Sequence, residues 1–182
     1  KELLDLAASN YPLKIKANNI TDDVFNFLME RLRRYYLDAN VSNDTFESVL
    51  AINTSRPLDF HHRLIAVTEF RKLAEANSLA AANKRISNIL KQSDFNNVLE
   101  VKNNLLSEES EILLSEALKE YQEKVVPMIN DHDYKSALTK LAGLGESIDN
   151  FFDNVMVMCD DDNIKNNRLA LLSNLNLLFL QT

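Results

Sequence analysis

Residues 79–92 read LAAANKRISNILKQ, and this stretch combines an apolar stripe with a basic opposite side. The apolar side chains recur at three- and four-residue intervals, the period of an α-helix with one buried face: Leu79, Ala82, Ile86, Ile89 and Leu90. Lys84, Asn88 and Lys91 fall on the other side at i, i+4 and i+7. The stretch therefore predicts a helix that packs into a core and presents these three residues to solvent.

Helical periodicity continues on both sides of this stretch, and the chain has few residues that break helices. There are only two glycines and three prolines in 182 residues, which favours long helices over hairpins. We predict an all-α, antiparallel helical bundle. We expect residues 1–55 to be a helical connector from a preceding domain, and residues 56–182 to form the main domain. The chain lacks an initial Met and opens within a helical pattern, so we expect a piece of a longer protein.

Charge is distributed unevenly along the chain. The formal net charge is −7, which by itself disfavours a nucleic-acid partner. However, residues 56–91 carry seven basic and three acidic side chains, whereas residues 92–163 carry five basic and sixteen acidic ones. We expect a polyanion to approach the first segment and to be repelled by the second.

The sequence contains none of the common catalytic motifs. Two glycines cannot build a P-loop or a dinucleotide-binding turn, and HExxH, CxxC and GxSxG are absent. His61 and His62 are adjacent, so on a helix their rings diverge, and residues 160–162 (DDD) indicate a helix cap more than a cation site. We predict no catalytic site, metal or cofactor in this chain. No apolar stretch is long enough to span a membrane, so no membrane partner is expected.

Four stretches resemble, in order and spacing, the C-terminal region of the β chain of bacterial glycyl-tRNA synthetases. They are residues 22–36 (DDVFNFLMERLRRYY), 56–71 (RPLDFHHRLIAVTEFR), 81–90 (AANKRISNIL), and 146–158 (ESIDNFFDNVMVM) followed by 166–182 (NNRLALLSNLNLLFLQT). The last two stretches, residues 81–90 and those from 146 onward, are also similar to the DALR anticodon-binding domain of arginyl-tRNA synthetases. The resemblance implies a DALR-type anticodon-binding domain.

The resemblance further implies an assembly and a division of labour. It implies an α2β2 enzyme in the bacterial cytoplasm, in which the separate α subunit carries the aminoacylation site and uses ATP and Mg. The β chain is implied to hold glycine tRNA, with this region at the anticodon end. A helical protein–protein interaction module within the synthetase assembly is the main alternative. A hydrolase or metal-dependent enzyme is a further rival, which a pocket with several perturbed carboxylates or histidines would favour.

The implied RNA partner gives a role to the basic side chains. Lys and Arg bind phosphates, while bases of an RNA loop stack on planar side chains and bond through their edges. We predict RNA contacts for Lys84, Asn88 and Lys91, and for Arg85 at the edge of the apolar stripe, where it either contacts RNA or braces the fold.

A second pair of basic candidates lies in the helix predicted over residues 22–36. We expect Arg33 to point away from the core and Arg34 to lie to one side, so both are candidate RNA contacts, whereas Arg31 lies within the apolar face. That face is predicted to consist of Val24, Phe27, Leu28, Leu32 and Tyr35.

Arg168 has a predicted structural role. It precedes Leu171, Leu172 and Leu175 by three, four and seven residues, and so projects from the same seam of the last helix. A buried guanidinium needs a partner, because an isolated buried charge costs several kcal/mol. We predict that Arg168 is buried and paired with Asp149 or Asp153, although an exposed Arg168 that faces RNA is the competing interpretation.

Overall fold

The computed structural model describes residues 2–11, 19–52, 54, 56–95 and 100–182. These residues form helices and turns, with no strand among them, which confirms the predicted all-α antiparallel bundle. The chain divides into two compact units, Lys1–Leu64 and Ile65–Thr182. The division falls inside the helix Pro57–Phe70, and the connector role predicted for residues 1–55 stays a prediction. None of the described helices is long and apolar enough to cross a membrane.

The first unit contains helices α1 (Glu2–Ser9), α2 (Ile20–Asp38) and α3 (Asn43–Leu50), and the start of α4 (Pro57–Phe70). Its core is built around Tyr36, whose ring centroid lies 6.3 Å from those of Phe46 and Phe60. The Tyr36 hydroxyl also makes a 2.7 Å hydrogen bond with Nδ1 of His61. Burial raises the pKa of this hydroxyl, and the neighbouring Tyr35 adds to the effect. An aromatic cluster with a bonded polar tip thus joins three helices.

The predicted core face of α2 is wrong. Met29 and Tyr36 are its buried residues, and Arg33 lies on the same side of the helix. Most of the predicted apolar stripe projects elsewhere into solvent: Val24, Phe27, Leu28 and Tyr35. The reason is that Tyr36 packs with Phe46 of α3 and Phe60 of α4, which rotates its neighbour Tyr35 outward to 67% exposure.

The second unit is a bundle of five helices with the end of α4. They are α5 (Glu75–Gln92), α6 (Glu109–Asn130), α7 (Tyr134–Leu141), α8 (Gly145–Asn154) and α9 (Asp162–Leu180). Helix α9 is buried on nearly all sides from Asn167 to Leu172, as expected for a helix that other elements surround. It packs against both α5 and α6, and α5 and α6 also pack against α8.

Local signals in the sequence set the ends of these helices. Asp161 caps α9, since its carboxylate accepts hydrogen bonds from the backbone N–H groups of Asn163 (2.8 Å) and Ile164 (3.2 Å). Asp133 caps α7 in the same way through Ser136 N–H. Gly143 lies in the turn after α7 and allows this turn to approach α6 closely, because a Cβ there would overlap the Tyr121 hydroxyl.

A buried ion pair between Arg168 and Glu111 fastens α9 to the start of α6. Arg168 Nε donates to Glu111 Oε1, and the Glu111 side chain is fully buried. Glu111 Oε2 accepts from the backbone N–H groups of Ser107 (2.7 Å) and Glu108 (3.0 Å). Arg168 also donates to the carbonyl of Met156 (2.8 Å) and to the Ser107 hydroxyl (3.3 Å). One guanidinium therefore joins α9, the N-terminus of α6 and the segment after α8.

The predicted partner of Arg168 needs correction, although its predicted burial is confirmed. Asp149 and Asp153 are exposed, and Arg168 bonds to Glu111 instead. Helix α8 turns Ile148 and Phe151 toward the core, so the carboxylates one and two positions later point outward. Glu111 sits at the third position of α6, where the helix dipole and two free N–H groups favour a carboxylate.

Replacement of Arg168 by Leu should destabilise the protein strongly. The substitution leaves Glu111 charged, buried and without its cation, a change that costs about 3–5 kcal/mol in comparable pairs. We expect a lower free energy of unfolding in denaturant titrations followed by circular dichroism. The matched control is Asp149→Asn with Asp153→Asn, which should change this free energy by less than about 0.5 kcal/mol. Wild-type stability of Arg168→Leu would contradict the assigned role.

Glu111 should also make stability depend on acid pH. Burial alone raises the pKa of this carboxyl, but hydrogen bonds from Glu108, Arg168 and Ser107 outweigh that effect and hold its pKa below the ordinary 4.5. A lowered folded-state pKa gives stability that is complete above about 4.5 and is lost as pH falls through the folded value. In urea titrations from pH 7 to pH 2.5, Glu111→Gln should be less stable at pH 7 and lose less stability on acidification. Equal acid sensitivity of the two proteins would rule out this contribution.

Candidate nucleic-acid interface

Helix α5 has the amphipathic character expected from its sequence. Its core-facing residues are buried, with Ile86 fully inaccessible and Ile89 half-buried against the same core. The helix begins at Glu75, four residues before the apolar stripe, and ends at Gln92. Its position is therefore held by its apolar side, and its opposite side is available to a partner.

The outer side of α5 carries three exposed residues, which we call the α5 ridge. Lys84, Asn88 and Lys91 follow each other at four and three residues along one side of the helix, spanning about 10 Å at 1.5 Å per residue. Neither lysine forms an ion pair with another described residue, whereas lysines elsewhere do, such as Lys124 with Glu120. The ridge thus offers two uncompensated cations and an amide, a combination that suits phosphates and polar base edges.

Arg85 has a structural contact of its own. Its guanidinium carbon lies 4.0 Å from the centroid of the Phe152 ring, in a cation–π arrangement. Phe152 belongs to α8 and packs against the core. Arg85 therefore braces α5 against α8. The residue remains exposed, and its predicted RNA contact stays a prediction.

Arg33 and Arg34 belong to the first unit and differ in environment. Arg33 forms an ion pair with Glu47 of α3, and its Nη2 lies 3.5 Å from Oε1 of Glu30. Its guanidinium carbon lies 5.3 Å from the centroid of the Phe46 ring. The expectation that Arg33 points away from the core is wrong, because it shares the buried side of α2 with Tyr36. Arg34 is exposed, and its predicted contact with RNA is untested.

Acidic side chains surround a cavity of about 580 Å³ at α8. Four carboxylates line it, from Glu75, Glu146, Asp149 and Asp153. None of them is paired with a cation among the described residues. This part of the surface repels a polyanion. Nowhere in the described ranges do three His, Cys, Asp or Glu side chains come together in a way that suits a metal ion.

The region that contains this geometry is similar to a known protein family. A family model described as the DALR anticodon binding domain matches residues 79–181, more than half of the chain. The chain belongs to this family. The match extends from Leu79 in α5 to the residue after α9, so the DALR domain of this chain includes the α5 ridge, Arg85 and the Arg168–Glu111 pair.

Curated relatives extend the similarity over nearly the whole chain. Each of the following is named "Glycine--tRNA ligase beta subunit". The protein from Pseudoalteromonas translucida is 42% identical over 182 residues, which cover 98% of this chain and 26% of the relative. Those from Shewanella baltica (45%, with 98% and 26% covered) and Vibrio parahaemolyticus (44%, with 99% and 27%) are similar. The chain thus spans about a quarter of the length of these relatives.

Two polar features of the DALR domain were not predicted from the sequence. Glu111 lies among the acids that open α6 and looks like part of a solvated first turn. Asn176 lies in a leucine-rich helix, yet it accepts a 3.0 Å hydrogen bond from Ser87 of α5. The signal that distinguishes Asn176 is the group of uncharged polar residues, Ser173, Asn174 and Asn176, on a helix whose apolar seam is elsewhere.

Proposed function

We propose that this DALR domain binds the anticodon region of glycine tRNA as part of the β subunit of a glycine–tRNA ligase. The observation that carries the proposal is the α5 ridge, which presents two lysines without ionic partners among the described residues, in a protein of net charge −7. The names of the relatives and of the family support the RNA partner and the amino-acid identity.

The proposal includes a separate site of catalysis. We assign adenylate formation with ATP and Mg to the α subunit of a cytoplasmic α2β2 assembly, as the resemblance to glycyl-tRNA synthetase β chains implies. The role left to the DALR domain is positioning, in which binding energy at the anticodon helps to orient the tRNA.

A second candidate function is that of a helical protein–protein interaction module in the same assembly. It is favoured by apolar side chains that α2 exposes on one side: Val24, Phe27, Leu28 and Tyr35. Phe27 and Tyr35 are 58% and 67% exposed, and a cluster of such side chains is typical of a surface that another protein covers. The two candidates concern different units of the chain and are compatible.

Anticodon recognition is tested by a binding titration with two transcripts. The chain should bind glycine tRNA more tightly than a transcript with the same fold and altered anticodon bases, by about tenfold or more, since each base contact contributes about 1–3 kcal/mol. Filter binding or fluorescence anisotropy measures both dissociation constants. Equal affinity for the two transcripts would argue against anticodon recognition, and no binding of either would favour the protein-interaction candidate.

The α5 ridge should contribute to the salt dependence of binding. Lys84→Gln, Asn88→Ala and Lys91→Gln together remove two cations, so the slope of log K against log[salt] should fall by about 1.4, at about 0.7 per phosphate contact. The control is Lys119→Gln with Lys124→Gln, two exposed lysines of α6 that give the same change in net charge. A slope that changes equally in both variants would indicate a general charge effect and no contact at the ridge.

A further inference from the structure

A groove of about 450 Å³ runs between α5 and α9, beside the α5 ridge. On the α9 side, its lining comes from positions i, i+3, i+4 and i+7 of one helix flank: Ser173, Asn176, Leu177 and Leu180. On the α5 side, Ser87 and Lys91 share the flank opposite to Arg85. The groove therefore follows directly from the packing of these two helices.

The groove has an apolar surface with an aromatic ring. Phe95 enters it because the chain reverses after α5, where Asp94 has a φ of 50° and Phe95 N–H donates to the carbonyl of Leu90 at 3.1 Å. Leu177 and Leu180 remain 39% and 53% exposed. A flat ring beside accessible leucines suits a planar apolar group that stacks.

One polar group in the groove is held in place and has unused bonding capacity. The Ser87 hydroxyl donates to Oδ1 of Asn176 at 3.0 Å, which fixes the orientation of the amide. Nδ2 of Asn176 has no hydrogen-bond partner among the described residues, although Asn176 is only partly exposed. An oriented N–H group of this kind suits an acceptor on the edge of a base, such as O2 or N3 of cytosine.

The positive charge of Lys91 at the groove favours an anionic ligand. Lys91 lines the groove and has no carboxylate partner among the described residues, and no Asp or Glu contributes to the lining. The cavity at α8, in contrast, is lined by four carboxylates. An apolar groove with one cation and one amide donor fits the parts of a nucleotide, namely a base and a phosphate.

We propose that the α5–α9 groove binds one unstacked nucleotide of a single-stranded RNA loop. The base lies against Phe95 and Leu177, Asn176 Nδ2 donates to an acceptor on the base edge, and Lys91 binds an adjacent phosphate. This inference rests on the proposed RNA-binding function and adds to it the place where a base is read. The α5 ridge then serves the phosphates that flank this nucleotide.

The test is a double-mutant cycle between Asn176 and the nucleotides of the loop. The probes are the glycine-tRNA anticodon stem–loop and a series in which each loop nucleotide in turn is abasic. With the intact loop, Asn176→Ala should weaken binding about tenfold. At one abasic position wild-type affinity should fall, and Asn176→Ala should cause no further loss. At the other positions the effect of the substitution should persist.

Three further variants serve as a control, a test of the phosphate contact and a replacement for Asn176→Ala. Asn166→Ala changes an exposed asparagine of the same helix outside the groove and should leave binding unchanged. Lys91→Gln acts on an exposed side chain, does not disturb helix packing, and should reduce the salt slope by about 0.7. If Asn176→Ala lowers the melting temperature, Leu177→Ala replaces it in the cycle, because Leu177 is 39% exposed and is proposed to contact the base, and the same single coupled position is expected.

The outcomes distinguish this proposal from the proposed function. If the wild-type chain binds the stem–loop and neither Asn176→Ala nor Leu177→Ala shows coupling to any nucleotide, the groove proposal is wrong and RNA binding stands. If the wild-type chain binds none of the probes, the proposed function fails as well. Tight binding of every abasic loop would instead indicate recognition of the backbone alone, which overturns base reading in the groove.

Discussion

The Arg168–Glu111 pair is the contact on which the arrangement of the second unit depends. A fully buried carboxylate is stable here because it has three partners, namely the guanidinium, the Ser107 N–H and the Glu108 N–H. These partners come from two segments that are far apart in sequence, and the Arg168 bond to the Met156 carbonyl adds a third. Helix α9 is thereby fixed in both position and rotation, and its rotation decides which flank faces α5.

The rotation of α9 connects this buried pair to the exposed surface. Asn176 follows Arg168 by eight residues, about 12 Å along the helix at 1.5 Å per residue. With Arg168 in the core seam, Asn176 lies to the side and meets Ser87 of α5. On the other flank of α5, Arg85 lies on Phe152 of α8. Helix α5 is thus held from both sides, which gives its exposed lysines fixed positions relative to the groove.

The parts of this structure that were predictable are those encoded within one helix. The two faces of α5 follow from residues at most twelve positions apart, and the burial of Arg168 follows from the leucines after it. The choice of Glu111 as its partner depends on a contact across 57 positions, to which no local pattern points. In helix α2 a regular local pattern led to a wrong prediction, since its apolar stripe is exposed and Arg33 packs beside Phe46. Periodicity there describes a face that remains largely exposed.

An acidic protein can bind RNA only if its few unpaired cations are separated from its carboxylates. Helices α6 and α8 together carry eight acids, and four carboxylates line the cavity at α8, whereas the α5–α9 groove has none in its lining. An RNA backbone that shifts from the α5 ridge toward α8 is repelled by these carboxylates once it comes within about one Debye length of them, roughly 8–10 Å. On the proposed function, the acidic side therefore contributes to register, since it disfavours binding poses that the lysines alone would accept. The small number of unpaired lysines then limits the affinity of this domain for RNA. Discrimination between nucleotides depends on the oriented Asn176 amide and the apolar groove beside it.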